Sequence, residues 1–314
     1  MYIGIDLGGT NIAVGLVDEK NNVVAQDSLP TGGITRDSQE IIKDMIGLSE
    51  KIVTTSGYSM RDILGIGIGC PGAVDNKTGC IVHTENLSFK NTPIVEEFHK
   101  YYDIPLVLEN DADAAALGEY VVNGEKSKVF VAVTLGTGIG GGIIIDGKIY
   151  KGANGVAGEI GHMTLVHNGI PCNCGRKGCW EVYGSVTALV NQTKASIAKH
   201  PESLMKKYAD ERGVINGRTA FDAAKNGDKV AKEVINRYIE YVAGGIVSII
   251  NILQPDKLVI GGGISREGDY LIKPITEYIR KYDYNRFFKP VKIDHAKLFN
   301  DAGIIGAAFV AKNA

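Results

Sequence analysis

Charge of one sign is what this sequence has least of. Its 34 Lys and Arg are set against 36 Asp and Glu, leaving a net charge of −2. The electrostatic footprint of a nucleic-acid or anionic-membrane binder is therefore missing. No apolar run reaches the ~20 residues that a bilayer-spanning helix needs. The opening MYIGIDLGG starts on a strand pattern and lacks the charged and apolar regions of a secretion signal. Cysteine is scarce: five in 314 residues are too few for a disulfide scaffold and fit a reducing compartment. These absences predict a cytoplasmic globular protein with neither a nucleic-acid nor a membrane partner. The chain is long enough for one large domain or two ordinary ones, and its 44% hydrophobic content suits an ordinary packed core.

Glycine, by contrast, is abundant. The 40 glycines gather at the ends of apolar runs, at Gly8-Gly9, Gly136 to Gly142 and Gly261 to Gly263, where they permit tight turns and close approach of backbone to a ligand. The first turn, Gly8-Gly9-Thr10-Asn11, lies between two strand patterns, with Asp6 near the end of the first. Amides in such a turn can face anionic oxygens, and Thr10 adds a hydroxyl. Asp6 is a candidate for holding Mg2+ through water, since that ion keeps much of its hydration beside phosphates. When residues 5–20 are aligned with residues 133–148, four of sixteen coincide, and the punctuation repeats: strand, glycine-threonine turn, strand, polar turn. This echo predicts two related α/β halves facing each other across a cleft, with Gly136-Thr137-Gly138 as the second phosphate turn.

Residues 136–141 also fit the GxGxxG dinucleotide fingerprint, but that fingerprint needs a helix after it. The run GIIIDGK that follows reads as a strand, so a nicotinamide-binding domain is not expected. Gly262, in KLVIGGG, can lie against the nucleoside or its α-phosphate, or serve only as a packing turn. Helices are expected around 37–55, 94–102, 111–122, 228–253 and 270–282, and from 301 onward. The halves are expected as 1–118 and 119–314, with the last helix able to pack back on the first half.

Phosphoryl transfer to an alcohol needs positioning, charge neutralisation and a base for the hydroxyl proton. In LVLENDADAAALGE a strand runs into Asn110-Asp111 and a helix begins there. Asp111 is thus a candidate base at a helix N-terminus, which favours its ionised form. Asn110 can donate to and accept from sugar hydroxyls. Both residues also suit a plain helix cap. In residues 158–181, His162, Cys172, Cys174 and Cys179 form a four-donor set for tetrahedral zinc. With all four positions filled by protein, the metal is structural. Glu159 and Glu181 flank this set as rigid acceptors for a polyol.

Eight stretches then carry a resemblance along nearly the whole chain: IDLGGTNIAVGLVD (5–18), GIGCPGAVD (67–75), ENDADAAALGE (109–119), LGTGIGGGII (135–144), GEIGH (158–162), CNCGRKGCWE (172–181), LVIGGGIS (258–265) and FNDAGIIGAA (299–308). Together they resemble the ROK family of sugar kinases. The resemblance implies a two-domain actin-like ATPase fold, a duplicated ribonuclease H-like unit with a hinged cleft, and transfer of the ATP γ-phosphate to the 6-hydroxyl of a hexose. It makes Asp111 the base and sets Gly72, Asn110, Asp111, Glu159, His162 and Glu181 around the sugar. It puts Asp6, Gly9, Thr10, Asn11, Gly136, Thr137 and Gly262 on the nucleotide side. His162, Cys172, Cys174 and Cys179 become the zinc ligands, and a homodimer is expected. Cys174 stands where fructose-using members often carry His, which favours an aldohexose, with glucose first. N-acetylhexosamine kinases and fructokinases are the competing readings. Sugar-responsive repressors of the family carry an extra N-terminal helix-turn-helix, and this sequence instead opens on the first phosphate strand. Phe89 replaces a frequent Trp, and Asp113 a frequent Asn.

Overall fold

A computed structural model describes residues 1–84, 86–123, 127–285 and 287–314. The chain packs as two compact units. One comprises Met1–Lys126, Gly142–Ala157 and Lys297–Ala314, and the other Ser127–Gly141 and Gly158–Ala296.

The first unit begins with β1 (Tyr2–Leu7), β2 (Asn11–Val17), β3 (Val23–Pro30) and α1 (Ser38–Thr55), followed by β4 (Gly65–Cys70). After β5 (Ala73–Asp75), β6 (Cys80–His83), β7 (Lys90–Thr92) and α2 (Ile94–His99) come β8 (Leu106–Asn110) and α3 (Asp111–Asn123). The main sheet has the order β3-β2-β1-β4-β8. Its first three strands pair antiparallel, while β1, β4 and β8 run parallel. The parallel register sets Asp6 opposite Gly69 and Cys70 opposite Asn110. The strand ends that carry Asp6, Cys70 and Asn110 therefore share one edge of the sheet.

Side-chain alternation decides what covers each face of this sheet. Ile3, Ile5 and Leu7 join Ile41, Ile42, Met45 and Ile52 of α1 in one buried cluster. Asp37 caps α1, its carboxylate accepting from Gln39 N at 2.8 Å. Helix α10 (Asp301–Lys312) packs on α3, β1 and β4. It comes so close that a methyl group built at Gly4, Gly67 or Gly118 falls on the carbonyl oxygen of Ile304, Ala307 or Ala302. A methyl at Gly306 falls on the Ala114 carbonyl in the same way. Glycine at these positions lets backbone pack against backbone, and the last helix belongs to the first unit.

The remaining elements are β9 (Val129–Leu135), β10 (Ile139–Ile145), β11 (Lys148–Ile149), α4 (Glu181–Gly184), α5 (Val186–Lys199), α6 (Leu204–Arg212), α7 (Gly217–Lys225), α8 (Lys229–Leu253), β12 (Lys257–Gly261), α9 (Asp269–Tyr282) and β13 (Lys292–His295). Their sheet has the order β11-β10-β9-β12-β13, with β9, β12 and β13 parallel. In each sheet the strands stand third, second, first, fourth, fifth, so the repeat read from the glycine turns is present as a duplicated topology. This is the doubled ribonuclease H-like arrangement of the actin-like ATPase fold. A strand, not a helix, follows Gly136–Gly138, which disposes of the dinucleotide fingerprint.

Helix α8 buries Val234, Ile235, Tyr238, Ile239, Val242, Ile246, Ile249 and Ile250 along one stripe. It starts under an Asp228 cap to Ala231 N and ends at Gln254, whose φ of 43° is left-handed, just before Pro255. Among the described residues no helix is long and apolar enough to cross a membrane.

Candidate active site

In the first unit the turn between β1 and β2 closes with Gly8 N donating to Asn11 O at 2.9 Å. Thr31, fully buried, pins it from outside. Its Oγ1 donates to Gly8 O at 2.7 Å and its amide to Thr10 O at 2.8 Å. Thr10 and Asn11 remain exposed and Gly9 half-buried, leaving the turn open to a ligand. No motif marks Thr31, because its partners lie more than twenty residues upstream.

At the neighbouring strand ends, Asn110 caps α3: its Oδ1 accepts from Ala112 N at 2.9 Å and from Asp113 N at 3.2 Å. Its Nδ2 donates to Gly72 O at 3.2 Å. Gly72 has a φ of 89°, and a methyl group there falls on the His83 carbonyl oxygen, so the position needs glycine. Asp111 opens the helix with Oδ1 accepting from Ala112 N at 2.9 Å. The cap and the candidate base are thus adjacent residues with different duties. Burial, and then the negative charge of Asp111, push the Asp6 carboxyl up to about 7. The same two causes push the Cys70 thiol upward. Cys70 and Cys80 are both free thiols.

Glu109, the penultimate residue of β8, is buried and paired with Lys151 Nζ at 2.8 Å, and it also accepts from the Asn110 amide at 3.0 Å. Lys151 therefore braces the residue just before the cap, a role that sequence reasoning did not find. Asp113 is buried, on a helix whose first turn also carries Asp111.

In the second unit the turn after β9 is held by Gly136 N donating to Gly138 O at 3.0 Å and by Val186 N donating to Gly136 O at 2.9 Å. Thr137 is exposed. Gly262, with a φ of 86°, lies against the backbone of Leu135, so that a methyl there falls on the Leu135 carbonyl oxygen. Gly136, Thr137 and Gly262 are therefore brought together. Ser265 secures the Gly262 carbonyl through its hydroxyl at 2.7 Å.

His162, Cys172, Cys174 and Cys179 place their donor atoms all within 4.8 Å of one another. A tetrahedral ion with bonds of ~2.3 Å separates its sulfur donors by about 3.8 Å. Cys174 Sγ and Cys179 Sγ are 3.6 Å apart, and Cys172 Sγ lies 3.7 Å from His162 Nδ1, so the set fits zinc. Burial pushes the Cys179 thiol up to about 12, whereas the Arg176 amide lowers Cys174. Binding the metal therefore requires displacing protons. Arg176 braces the loop by donating to His162 O at 3.2 Å and to Thr164 Oγ1 at 2.8 Å. Trp180 anchors it in the interior, with Nε1 donating to Tyr241 O at 2.8 Å and no accessible surface. Glu159 is exposed, and Glu181 is half-buried at the start of α4.

Known proteins resemble this chain along its whole length. The profile of the ROK family matches residues 2–314. A glucokinase of Halalkalibacterium halodurans is 36% identical over 314 residues, covering 99% of this chain and 94% of that protein. The crystal structure of a ROK family glucokinase from Streptomyces griseus, in complex with glucose and AMPPNP, superimposes with a TM-score of 0.85 at 32% identity. The match covers 100% of this chain and 99% of that one. A xylose repressor of Caldicellulosiruptor bescii is 31% identical, but the match spans only 76% of its length. With its two glycine turns, its Asn110-Asp111 junction and its Cys3His loop in family order, the chain belongs to the ROK family.

Proposed function

We propose that this chain is an ATP-dependent hexokinase that phosphorylates the 6-hydroxyl of glucose, with Asp111 as the general base. The observation that carries this reading is the β8–α3 junction. Asn110 satisfies the helix amides and holds Gly72, so the carboxylate beside it is not needed as the cap. Family-wide likeness to full-length glucokinases supports the choice of reaction.

In the reaction, the sugar O6 attacks the γ-phosphorus as the bond to the β–γ bridging oxygen breaks, and the O6 proton passes to the Asp111 carboxylate. ADP leaves with the bridging oxygen. The Gly9–Asn11 turn, together with Gly136, Thr137 and Gly262, is assigned to the phosphates and nucleoside. Magnesium, when bound, neutralises phosphate charge, and Asp6 is the residue assigned to hold it through water. Gly72, Asn110, Asp111, Glu159, His162 and Glu181 are the residues assigned to the sugar. His162 would hold the zinc together with Cys172, Cys174 and Cys179, and the metal would fix the imidazole so that its other ring nitrogen could donate to a sugar oxygen. We place the protein in the cytoplasm, in sugar catabolism, as a homodimer.

Coupled ADP release with Mg-ATP against glucose, mannose, fructose, N-acetylglucosamine and N-acetylmannosamine tests the reading. Turnover with glucose and none without sugar is expected. Turnover only with an N-acetyl sugar would keep the mechanism and overturn the substrate. Silence with every sugar would overturn the enzyme.

A further inference from the structure

Two parts of the second unit share the carboxylate of Glu181. Oε2 accepts from the Ile139 amide at 3.0 Å, at the exit of the glycine turn. Oε1 lies 4.0 Å from Cys172 Sγ, one of the four metal donors. A methyl group built at Gly138 falls on Oε2, so glycine at this position is what admits the carboxylate. Apart from its internal Gly136 N–Gly138 O bond, the turn has a second outside attachment, the Val186 amide on Gly136 O. Both attachments come from the six residues that follow the metal donors and Trp180. The 160–162 turn that carries His162 packs on the same place, since a methyl at Gly161 falls on the Ile139 carbonyl oxygen. Among the described residues, the amides of Thr137 and Gly138 have no protein partner.

We propose that Glu181 is a positioning residue for the 136–139 turn, so that the metal loop shapes the site of the nucleotide phosphates as well as that of the sugar. The proposal rests on the kinase reading above. A hydrogen bond from an amide to a carboxylate is stronger and shorter-ranged in its geometry than one to a neutral acceptor. Fixing the Ile139 amide fixes the peptide planes just before it, and those planes carry the unpartnered amides of Thr137 and Gly138. A carboxylate offers about four acceptor sites, so Glu181 can hold Ile139 and still accept from a sugar hydroxyl. One side chain then couples sugar, metal loop and phosphate turn.

Three variants separate this role from simple sugar contact: Glu181→Ala, Glu181→Gln and Gly138→Ala. AMPPNP binding without sugar, glucose binding and zinc content are measured on each. Loss of a charged hydrogen bond predicts about tenfold weaker AMPPNP binding in Glu181→Ala, with zinc retained because all four donors are intact. Gly138→Ala pushes aside only the flexible end of Glu181, so it is expected to fold and to show the same nucleotide defect. Glu181→Gln keeps an acceptor for Ile139 and is expected to hold AMPPNP close to wild type while losing glucose affinity. Wild-type AMPPNP affinity in Glu181→Ala and Gly138→Ala would overturn the proposal. Zinc loss in Glu181→Ala leaves the decision to Gly138→Ala, which alters no donor. Failure of the unaltered protein to bind AMPPNP at all would instead overturn the kinase reading itself.

Discussion

At Asp6, a carboxyl held near pH 7 in the folded chain against 3.8 when free takes up a proton on folding between those two values. Its stabilising contribution is fully present below pH 3.8 and lost as pH rises through about 7. Asp6→Asn is expected to raise stability at pH 8 by on the order of 2 kcal/mol, with the gain shrinking toward pH 4. Urea unfolding of both proteins at the two pH values checks this, and equal gains would refute it. Tyr238 offers a second test, because its fully buried hydroxyl has no partner among the described residues. Removing a buried, unpaired hydroxyl spares its desolvation, so Tyr238→Phe is expected to be neutral or to gain about 1 kcal/mol. A large loss of thermal stability would show that the hydroxyl is bonded. At this scale the sequence was legible where a short motif sets the geometry, as at the Asn110 cap of α3 and the Cys172–Cys179 donors. Thr31, Lys151 and Trp180 were not legible, since each acts on a partner far along the chain and no local pattern signals it.

Among the elements, α10 shows how composition becomes packing. Its seat is lined by Gly4, Gly67 and Gly118, and methyl groups there meet rigid backbone, not movable side chains. Gly67→Ala is therefore expected to cost about 3 kcal/mol. Gly47 is the control: it lies exposed within α1 with nothing near a built methyl. Gly47→Ala is expected to stabilise by about 0.5–1 kcal/mol. Thermal denaturation of the pair gives opposite signs on this account and the same sign if glycine content alone matters. The long helices were legible because their apolar period survives over several turns. The three-residue strands Ala73–Asp75 and Lys90–Thr92 are too short to show an alternation, and the sheet they form with β6 went unseen. Nor does the local pattern of β10 reveal that the chain passes there from one compact unit to the other.

For the whole molecule, the repeated strand order, two glycine turns and a metal loop converge on one reaction. If the Cys3His set holds zinc, the pure protein carries about one ion per chain at pH 8 and releases it on acidification, because protons compete for thiolates. Metal analysis across pH checks this, and the stripped protein is expected to melt several degrees lower. The most direct test of the central claim is Asp111→Asn, assayed for glucose-dependent ADP release alongside calorimetric binding of glucose and AMPPNP. The account predicts turnover lowered on the order of 10³-fold with both affinities close to wild type. Turnover retained by the variant, with the ligands still bound, would contradict it.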